Sequence, residues 1–425
     1  MTVIALIDAD NFYVSVERIF RADLQGKPVV VLSSNDANVI ARSAEAKALK
    51  IQMGTPAFQI RTLAKEHGIV QVSSNFSLYG DISARFMKVL ALFTPALEEY
   101  SIDEAFVDLS HVPREQLREY GQRIRATVMQ YVGIPVSIGI APSKVLAKLM
   151  TEVVKHHADY EGVVSYFQLN DQERDDLLSR ISVEDIWGVG QKSSTKLHLK
   201  NIFTAKQLRD ADLVWIRRTL KVVGVRIVLE LRGMACMPIE IATKPKQGIM
   251  SSQSFSRPIE SREELNEAVA LYTSLAAMKL RNQQSLAAHL SVFIHTNFFD
   301  PRAPQYARST SRMLAFPTAF TPDLIAVARA CVQEIYMSGY TFKKAGVYLT
   351  HITPQQVVQA DLFGMFSFDE HERKQRLMLC IDEVNRFWGR NTLFFGAIGL
   401  TRDWQMKQTR KSPNYTTKWE DIMSI

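Results

Sequence analysis

The amino-acid sequence predicts an α+β protein with several domains. Its 425 residues are 47% hydrophobic, which is enough to bury the cores of three or four domains. Short apolar runs alternate with amphipathic segments in residues 1–165 and again in residues 250–350, a pattern typical of sheets with helices packed on them. Residues 166–235 carry a helical pattern throughout. The chain therefore combines two parts that mix strands and helices with one helical part.

The first 165 residues are predicted to form one mixed sheet with helices packed against it. Asp8 follows the first predicted strand, and the turn Asp103-Glu104 separates two strands that form a hairpin. Pro113 is expected at the start of a helix whose apolar residues recur at helical spacing. The predicted strands are 3–7, 28–32, 97–102, 105–109 and 134–140, and the predicted helices are 39–49, 82–93, 113–132 and 143–155.

The later part of the chain shows a β-α-β pattern twice, after a segment that has the Pro and Lys content of a linker. A polar loop, one helix at about 370–388 and a tail without a clear fold signal follow it. In this tail Trp388, Trp404 and Trp419 are expected to pack a small C-terminal core. The predicted strands are 251–255, 290–295, 309–316 and 344–349, and the predicted helices are 262–281 and 323–337.

Composition excludes several classes of protein. The three cysteines lie far apart, so a disulfide framework or a zinc site is not expected, and the protein is expected in a reducing cytoplasm. No apolar run approaches the roughly 18 residues of a membrane span. The net charge is +7, and it is uneven: residues 1–165 carry 17 basic and 18 acidic side chains, whereas residues 166–235 carry 12 and 9. This distribution favours a polyanionic partner that is held by the middle of the chain.

Two groups of carboxylates stand at the ends of predicted strands, Asp8-Ala9-Asp10 and Asp103-Glu104. Clustered carboxylates repel one another unless cations neutralise them, so two Mg²⁺ ions among Asp8, Asp103 and Glu104 would suit phosphoryl transfer. Each group also has an ordinary interpretation, as a polar hairpin turn or a helix cap. Metal-dependent phosphatases and glycosyltransferases, too, carry Asp-x-Asp after an apolar strand.

Three segments in order resemble the motifs of Y-family translesion DNA polymerases. They are DADNFYVSVE at 8–17, SIDEAF at 101–106 and PSKVLAK at 142–148. The similarity runs over essentially the whole chain and is strongest to the branch that contains the catalytic subunit of bacterial DNA polymerase V (UmuC). The resemblance implies a right-hand polymerase with a ferredoxin-like palm (1–25 and 76–165), small fingers (26–75), a helical thumb with a helix-hairpin-helix (166–235), a linker (236–249), a β-α-β little finger (250–350) and a UmuC-type C-terminal extension (351–425).

The resemblance also implies roles for individual residues. Asp8, Asp103 and Glu104 would be catalytic and would hold two Mg²⁺ ions, with the carbonyl of Ala9 as a backbone ligand. Tyr13 would be the steric gate that excludes a 2′-hydroxyl. The further positions that it assigns to the incoming deoxynucleoside triphosphate are Phe12, Arg42, Lys47 and Lys155. Without the resemblance, Phe12 and Tyr13 would be interpreted as core aromatic residues at the start of a helix.

Candidate contacts with primer-template DNA lie in the thumb and the little finger. The run IWGVG at 186–190 is typical of a helix-hairpin-helix, whose glycines let backbone amides approach a phosphate, although a simple helix-connecting turn has the same pattern. The candidate contacts are Gly188, Gly190, Lys192 and Lys196 in the thumb, and Arg257, Arg308, Arg312, Lys343 and Lys344 in the little finger. Each of the little-finger cations could equally be a solvated surface charge.

A peptide near the C-terminus resembles the motif by which many bacterial polymerases bind the sliding clamp. Gln359, Leu362 and Phe363 fit its Gln-x-x-Leu-Phe pattern, with the two apolar side chains filling pockets. The tail beyond it resembles the extension of polymerase V catalytic subunits, which implies a processed UmuD-type dimer and a recombinase (RecA) filament as partners.

The expected function is error-prone, template-directed DNA synthesis across lesions in the SOS response to DNA damage. The sequence shows no second set of carboxylates that would indicate a proofreading exonuclease. Two alternatives are a non-catalytic adaptor of DNA and clamp built on the same fold, and a metal-dependent phosphatase or glycosyltransferase. The first would be expected to lose the carboxylates that this chain keeps, and the second does not explain SIDEAF or the clamp peptide.

Overall fold

A computed structural model describes residues 2–242, 244–357 and 366–423. The chain forms two compact units. Among the described residues, the first unit comprises 2–33, 37–242 and 409–423, and the second comprises 34–36, 244–357 and 366–408. The chain thus passes from the first unit to the second near residue 243, inside the segment with linker character, and returns after residue 408.

The first unit is built on a five-stranded sheet with the strand order β5-β6-β1-β7-β8. β1 lies in the centre and pairs antiparallel with β6 and β7, so the predicted hairpin and the first strand share one sheet. Its core includes the apolar residues of β1 and the inner faces of the helices that cover it. The strands are β1 (Ile4–Ala9), β2 (Val29–Leu32), β3 (Val39–Arg42), β4 (Val70–Ser73), β5 (Leu97–Glu99), β6 (Glu104–Asp108), β7 (Val136–Ala141) and β8 (Val163–Ser165). The first six helices are α1 (Phe12–Phe20), α2 (Ala44–Ala48), α3 (Arg61–Glu66), α4 (Phe76–Leu90), α5 (Leu117–Val132) and α6 (Lys144–His156).

A second, three-stranded sheet has the order β3-β2-β4, and here one prediction is wrong. Residues 39–49 were expected to form one helix, but Val39–Arg42 is strand β3, in which Val39 and Ala41 are buried. The β-branched pair at its start favours a strand. Ser43 then accepts a hydrogen bond from the Ala46 amide, which starts the short helix α2.

The helical pattern of residues 166–235 is confirmed by four helices. They are α7 (Asp171–Arg180), α8 (Gln191–His198), α9 (Ala205–Asp210) and α10 (Leu213–Leu231). The buried Glu230 of α10 fixes this segment to α6, because its carboxylate accepts the Val145 amide at 3.1 Å and its carbonyl accepts the Ser143 hydroxyl at 2.7 Å. The helical segment therefore belongs to the same compact unit as the five-stranded sheet.

The second unit confirms the predicted double β-α-β pattern. It contains β9 (Ile249–Ile259), α11 (Arg262–Asn282), β10 (Ser285–His295), β11 (Ala307–Thr318), α12 (Thr321–Ile335) and β12 (Phe342–Pro354). The four strands form one antiparallel sheet with the order β11-β10-β12-β9. Alternate residues of β10 and β12, among them Leu290, Val292 and Val347, are buried in the core that also contains the inner faces of α11 and α12.

The C-terminal segment does not form a core of its own. Its helix α13 (Phe368–Trp388) is joined to α11 by the ion pair between Arg281 and Asp382 at 2.6 Å. Trp404 is buried in the core of the second unit against Phe255 and Tyr272, whereas Trp388 and Trp419 are exposed. The expectation that three tryptophans pack together is therefore wrong. In the described part of the chain, no helix has the length and apolar character that a membrane span needs.

Candidate active site

The carboxylates of the two sequence motifs lie at one end of the five-stranded sheet. Asp8 of β1 is paired in register with Glu104, the first residue of β6. The Ala9 amide donates to the Asp103 carbonyl at 2.8 Å, which ties the end of β1 to the hairpin turn. Directly opposed residues of an antiparallel pair have side chains on the same face, so Asp8 and Glu104 share a face. The two motifs are thus brought together as predicted.

Two lysines of α6 neutralise these carboxylates. Lys155 Nζ lies 3.0 Å from Asp8 Oδ2, and Lys148 Nζ lies 3.0 and 3.1 Å from the two Glu104 oxygens. The two lysines are seven residues apart, so they lie on the same face of the helix. No role was predicted for Lys148 from the sequence. This residue ends the PSKVLAK motif, and its seven-residue spacing from Lys155 could have indicated that both lysines face the site.

α6 can lie this close to the sheet because of Gly139 in β7. A Cβ atom at this position would come within 2.3 Å of the Thr151 backbone nitrogen and 2.4 Å of the Ala147 carbonyl oxygen. Both contacts are far shorter than van der Waals distance, so any side chain here would push the helix away. Lys148 lies in the contacting turn and Lys155 one turn beyond it, and the close approach therefore sets their reach to the carboxylates.

Aromatic rings add to the environment of Lys148. Its ammonium nitrogen lies 4.7 Å from the ring centroid of Tyr100 and 5.9 Å from that of Trp187. The Trp187 indole N–H donates to the Tyr100 hydroxyl at 2.9 Å. A cation over aromatic faces is held by the ring quadrupole. The IWGVG segment, to which Trp187 belongs, thus contacts the carboxylate site through Lys148.

Burial and mutual repulsion make the carboxylate site electrostatically strained. Burial raises the pKa of Asp8 to about 7, the Lys155 ammonium opposes this rise, and the charges of Glu104 and Asp103 add to it. Burial also raises the pKa of Asp10, whose carboxylate accepts the Ser137 hydroxyl at 2.8 Å. Such a site favours any further cation that can enter it.

The donor set fits Mg²⁺, because it consists of carboxylate oxygens and backbone carbonyls. In the part of the chain that the structure describes, however, no three His, Cys, Asp or Glu side chains converge closely enough to hold a metal ion. The reason is visible in the pairing: Asp8 and Glu104 point to Lys155 and Lys148, and Asp103 accepts the Ser101 hydroxyl. Each of the three carboxylates thus has a partner among neighbouring side chains.

The two aromatic residues after the first motif have different environments. Phe12 is 3% exposed and belongs to the core of the first unit. Tyr13 is partly exposed, and its ring stacks on Tyr79 of α4 with centroids 4.6 Å apart and planes at 16°. Tyr13 therefore has one ring face against Tyr79 and a partly exposed ring, whereas Phe12 packs in the core at the start of α1.

Three of the cations assigned to the triphosphate lie near one another. The pKa of Lys47 is lowered by partial removal from water and then by the positive charges of Arg42 and Lys155. Arg42 donates to the Ile51 carbonyl at 2.7 Å, while its Nε is buried and has no hydrogen-bond partner among the described residues. A lysine whose charge is disfavoured by neighbouring cations gains from an anion that enters the site, and such a site is suited to a polyanion.

The predicted helix-hairpin-helix has the expected local geometry. Gly188 has φ of 90°, a conformation that favours glycine, and Gly190 is the N-cap residue of α8. Lys192 and Lys196 are exposed on α8. A backbone turn followed by a free helix N-terminus and two lysines is suited to a phosphate.

The five candidate contacts in the second unit do not form one surface. Arg257 is paired with Glu264, and Arg312 with Glu334 of α12 at 3.2 Å. Arg308 lies opposite the buried Ile294, on the helix-covered side of the edge strand. Lys343 and Lys344 are neighbours in β12 and point to different sides. The Lys343 ammonium donates to the Phe255 carbonyl, whereas Lys344 lies on the sheet face away from the helices. The clamp peptide with Gln359, Leu362 and Phe363 lies outside the described residues.

Comparison with known families and proteins agrees with this geometry. Residues 7–152 match the impB/mucB/samB family, residues 246–362 match the C-terminal domain of that family, and residues 375–425 match a domain of unknown function, DUF4113. UmuC of Salmonella typhimurium is 40% identical over 99% of both chains. SamB of Salmonella typhimurium is 38% identical and MucB of Escherichia coli 36% identical, each over 98% of both chains.

Solved structures show the same fold. A Y-family DNA polymerase chimera of Dbh and Dpo4 aligns with a TM-score of 0.66 and 19% identity, covering 83% of this chain and 99% of that one. An insertion ternary complex of Dbh DNA polymerase aligns with a TM-score of 0.54 and 20% identity over the same shares. The fold and the near full-length similarity to UmuC, SamB and MucB agree with each other. The chain therefore belongs to the impB/mucB/samB family, and its fold is that of Y-family DNA polymerases.

Proposed function

We propose that this chain, an error-prone translesion DNA polymerase of the polymerase V type, transfers nucleotides with two Mg²⁺ ions held by Asp8, Asp103 and Glu104 and by the carbonyl of Ala9. The single observation that carries the proposal is the pairing of Asp8 opposite Glu104, with Asp103 tied to the same strand end. The family indicates catalysis with divalent metal ions. When bound there, two such ions would activate the primer 3′-hydroxyl and neutralise charge on the leaving pyrophosphate.

The lysines of α6 pair with two of the carboxylates that we assign to the metal ions. Lys155 pairs with Asp8 at 3.0 Å, and its charge also lowers the pKa of Lys47, so it interacts with both the carboxylates and the other cations assigned to the triphosphate. An incoming triphosphate offers Lys155 a stronger anion, and Arg42 and Lys47 supply further charge-assisted hydrogen bonds. Asp8 would then be available as a metal ligand. The resemblance to the family makes Glu104 the carboxylate that would lie nearest the primer 3′-hydroxyl.

Tyr13 is proposed as the steric gate for the sugar. Its ring is partly exposed and stacked on Tyr79, which restricts its movement. A fixed ring at the edge of the sugar pocket excludes a 2′-hydroxyl by contact alone. Phe12, which is buried, would act by fixing the backbone of Tyr13 rather than by touching the sugar.

The two units and their sheets support the proposed domains. The five-stranded sheet would serve as the palm, the three-stranded sheet as the fingers, the helices α7–α10 as the thumb, and the second unit as the little finger with the first part of the C-terminal extension, whose residues 409–423 belong to the first unit. The helix-hairpin-helix at Gly188 and Gly190 is proposed to hold a DNA phosphate, with Lys192 and Lys196 adding charge. Primer-template DNA and deoxynucleoside triphosphates are the substrates.

Further partners are proposed from the similarity to UmuC and from the C-terminal sequence. We place the sliding clamp at Gln359, Leu362 and Phe363, and a UmuD-type dimer and a recombinase filament at sites not yet assigned. The family match at residues 375–425 supports an extension of the UmuC type. The protein would act in the bacterial cytoplasm, on the nucleoid, during the SOS response.

The carboxylate assignment is tested by Asp103→Asn. The amide keeps the shape of the side chain but loses the negative charge that a metal requires, so primer extension should fall at least roughly a thousandfold. DNA binding should change little. The measurement is extension of a primer across an abasic site, with Asp23→Asn, an exposed carboxylate paired with Arg21, as the matched control. Retained extension by Asp103→Asn would contradict the assignment, and loss of extension by both variants would show a general defect.

The gate is tested by Tyr13→Ala. Removal of the ring opens space for a 2′-hydroxyl, so the preference for deoxynucleotides over ribonucleotides should fall by at least roughly tenfold in kcat/KM. Tyr131→Ala, at an exposed position of α5, is the control. Unchanged sugar selectivity in Tyr13→Ala would remove Tyr13 from the gate.

The clamp assignment is tested by replacing Leu362 and Phe363 with Ala together. Loss of the two apolar anchors should abolish the stimulation of primer extension by the clamp and leave extension without the clamp unchanged. The double variant Leu377→Ala and Leu379→Ala, at exposed positions of α13, controls for apolar truncation in the extension. Stimulation that survives the first double variant would place the clamp site elsewhere.

A further inference from the structure

The last described residues of the chain pack along the three-stranded sheet of the first unit. Ser73, at the end of β4, donates its amide to the Arg410 carbonyl at 3.0 Å and accepts the Arg410 amide on its hydroxyl at 2.9 Å. Ser73 and Lys411 form a parallel β-bridge. The segment Arg410–Tyr415, here called the strap, therefore continues the edge of this sheet.

A buried asparagine fixes the path of the strap. Asn75, which is fully buried, donates from Nδ2 to the carbonyls of Ser412 at 3.0 Å and Pro413 at 3.2 Å. Its Oδ1 accepts the Leu78 amide and so caps the start of α4. Tyr415 stacks on Phe20 of α1, with centroids 4.6 Å apart and planes at 14°. The strap is thus held by backbone, side-chain and aromatic contacts.

The strap supplies a hydrogen bond to a buried carboxyl group. Ser412 Oγ donates to Glu17 Oε1 at 3.0 Å, and the Tyr79 hydroxyl donates to the same oxygen at 2.7 Å. Glu17 is fully buried, and its Oε2 has no hydrogen-bond partner within the described residues. Burial raises the pKa of Glu17. A buried acceptor with so few donors depends on each of them.

Tyr79 contacts both Glu17 and Tyr13. The Tyr79 ring stacks on Tyr13, and Phe76 packs edge-on against both rings at 6.2 and 6.0 Å. The hydroxyl of Tyr79 is held by Glu17, so the ring cannot slide away from Tyr13 without losing that hydrogen bond. A continuous series of contacts therefore leads from Ser412 through Glu17 and Tyr79 to the ring of Tyr13.

We propose that the strap is an intramolecular positioning element that fixes the Tyr13 ring through Glu17 and Tyr79 and thereby sets the sugar selectivity of the polymerase. The proposal rests on the proposed role of Tyr13 as the gate. It gives a role to part of residues 375–425, which match a domain of unknown function, and the solved relatives cover only 83% of this chain. Ser412, Glu17 and Tyr79 are positioning residues, since none of them is placed against the substrate.

Two pairs of variants test the proposal. Ser412→Ala removes the hydroxyl and Ser412→Thr keeps it; Glu17→Met removes the acceptor at similar volume and Glu17→Gln keeps it. Thr417→Ala, at an exposed position just beyond the strap, is the control. The measurement is kcat and KM for insertion of one deoxynucleotide and of the matching ribonucleotide, with thermal unfolding of each variant.

Ser412→Ala and Glu17→Met should lower the preference for the deoxynucleotide at least about threefold, the size expected for the loss of one hydrogen bond. The change should come from a higher kcat/KM for the ribonucleotide, while Ser412→Thr and Glu17→Gln keep the original preference. A role in stability alone would lower the unfolding temperature and leave the sugar preference unchanged. If Glu17→Met does not fold, the Ser412 pair carries the test.

Unchanged preference in Ser412→Ala, together with lost preference in Tyr13→Ala, would overturn the strap proposal and leave the gate intact. Unchanged preference in Tyr13→Ala would overturn the gate, and the strap proposal with it. Lost preference in Ser412→Thr to the same extent as in Ser412→Ala would also contradict the proposal, because the hydroxyl would then not be the group that acts.

Discussion

Repulsion between carboxylates at one end of a sheet is the constraint on which the first unit depends. Asp8 and Glu104 are fixed opposite each other by the register of β1 and β6, so they cannot separate without breaking the sheet. The charge is balanced by Lys155 and Lys148 of α6. The close approach of α6 at Gly139 makes this balance feasible. The same features thus hold in place the carboxylates that we propose as metal ligands.

Much of this site could be predicted from the sequence, because a strand end and a hairpin turn are local features. The hairpin and the strand before Asp8 were predicted from apolar runs alone, and the motifs around them indicated the family. The predicted two-residue turn was too short, because β5 ends at Glu99 and Glu104 already belongs to β6. The partners of the carboxylates could not be predicted in this way. Lys148 meets Glu104 only after α6 has packed on the sheet, and the stack of Tyr13 on Tyr79 joins two helices that are far apart in sequence.

The C-terminal segment shows a different limit of sequence reasoning. Its apolar residues have no periodic pattern because they pack on other elements: Trp404 enters the core of the second unit, and Tyr415 stacks on Phe20 in the first. The error at residues 39–49 has a related cause, since Ala, Glu and Lys favour a helix while pairing with β2 selects a strand for the first four residues. In both cases tertiary contacts decide a structure that local propensity leaves open.

The central claim is that lysines and metal ions compete for the same carboxylates. It is tested most directly by Mn²⁺ binding, followed by electron paramagnetic resonance, in the protein without DNA or nucleotide. Lys148→Met removes the cation paired with Glu104 and should strengthen binding roughly tenfold, equivalent to about 1.4 kcal/mol. Lys192→Met, at an exposed position of α8, should bind as the wild type does. Equal or weaker Mn²⁺ binding by a folded Lys148→Met variant would contradict the account.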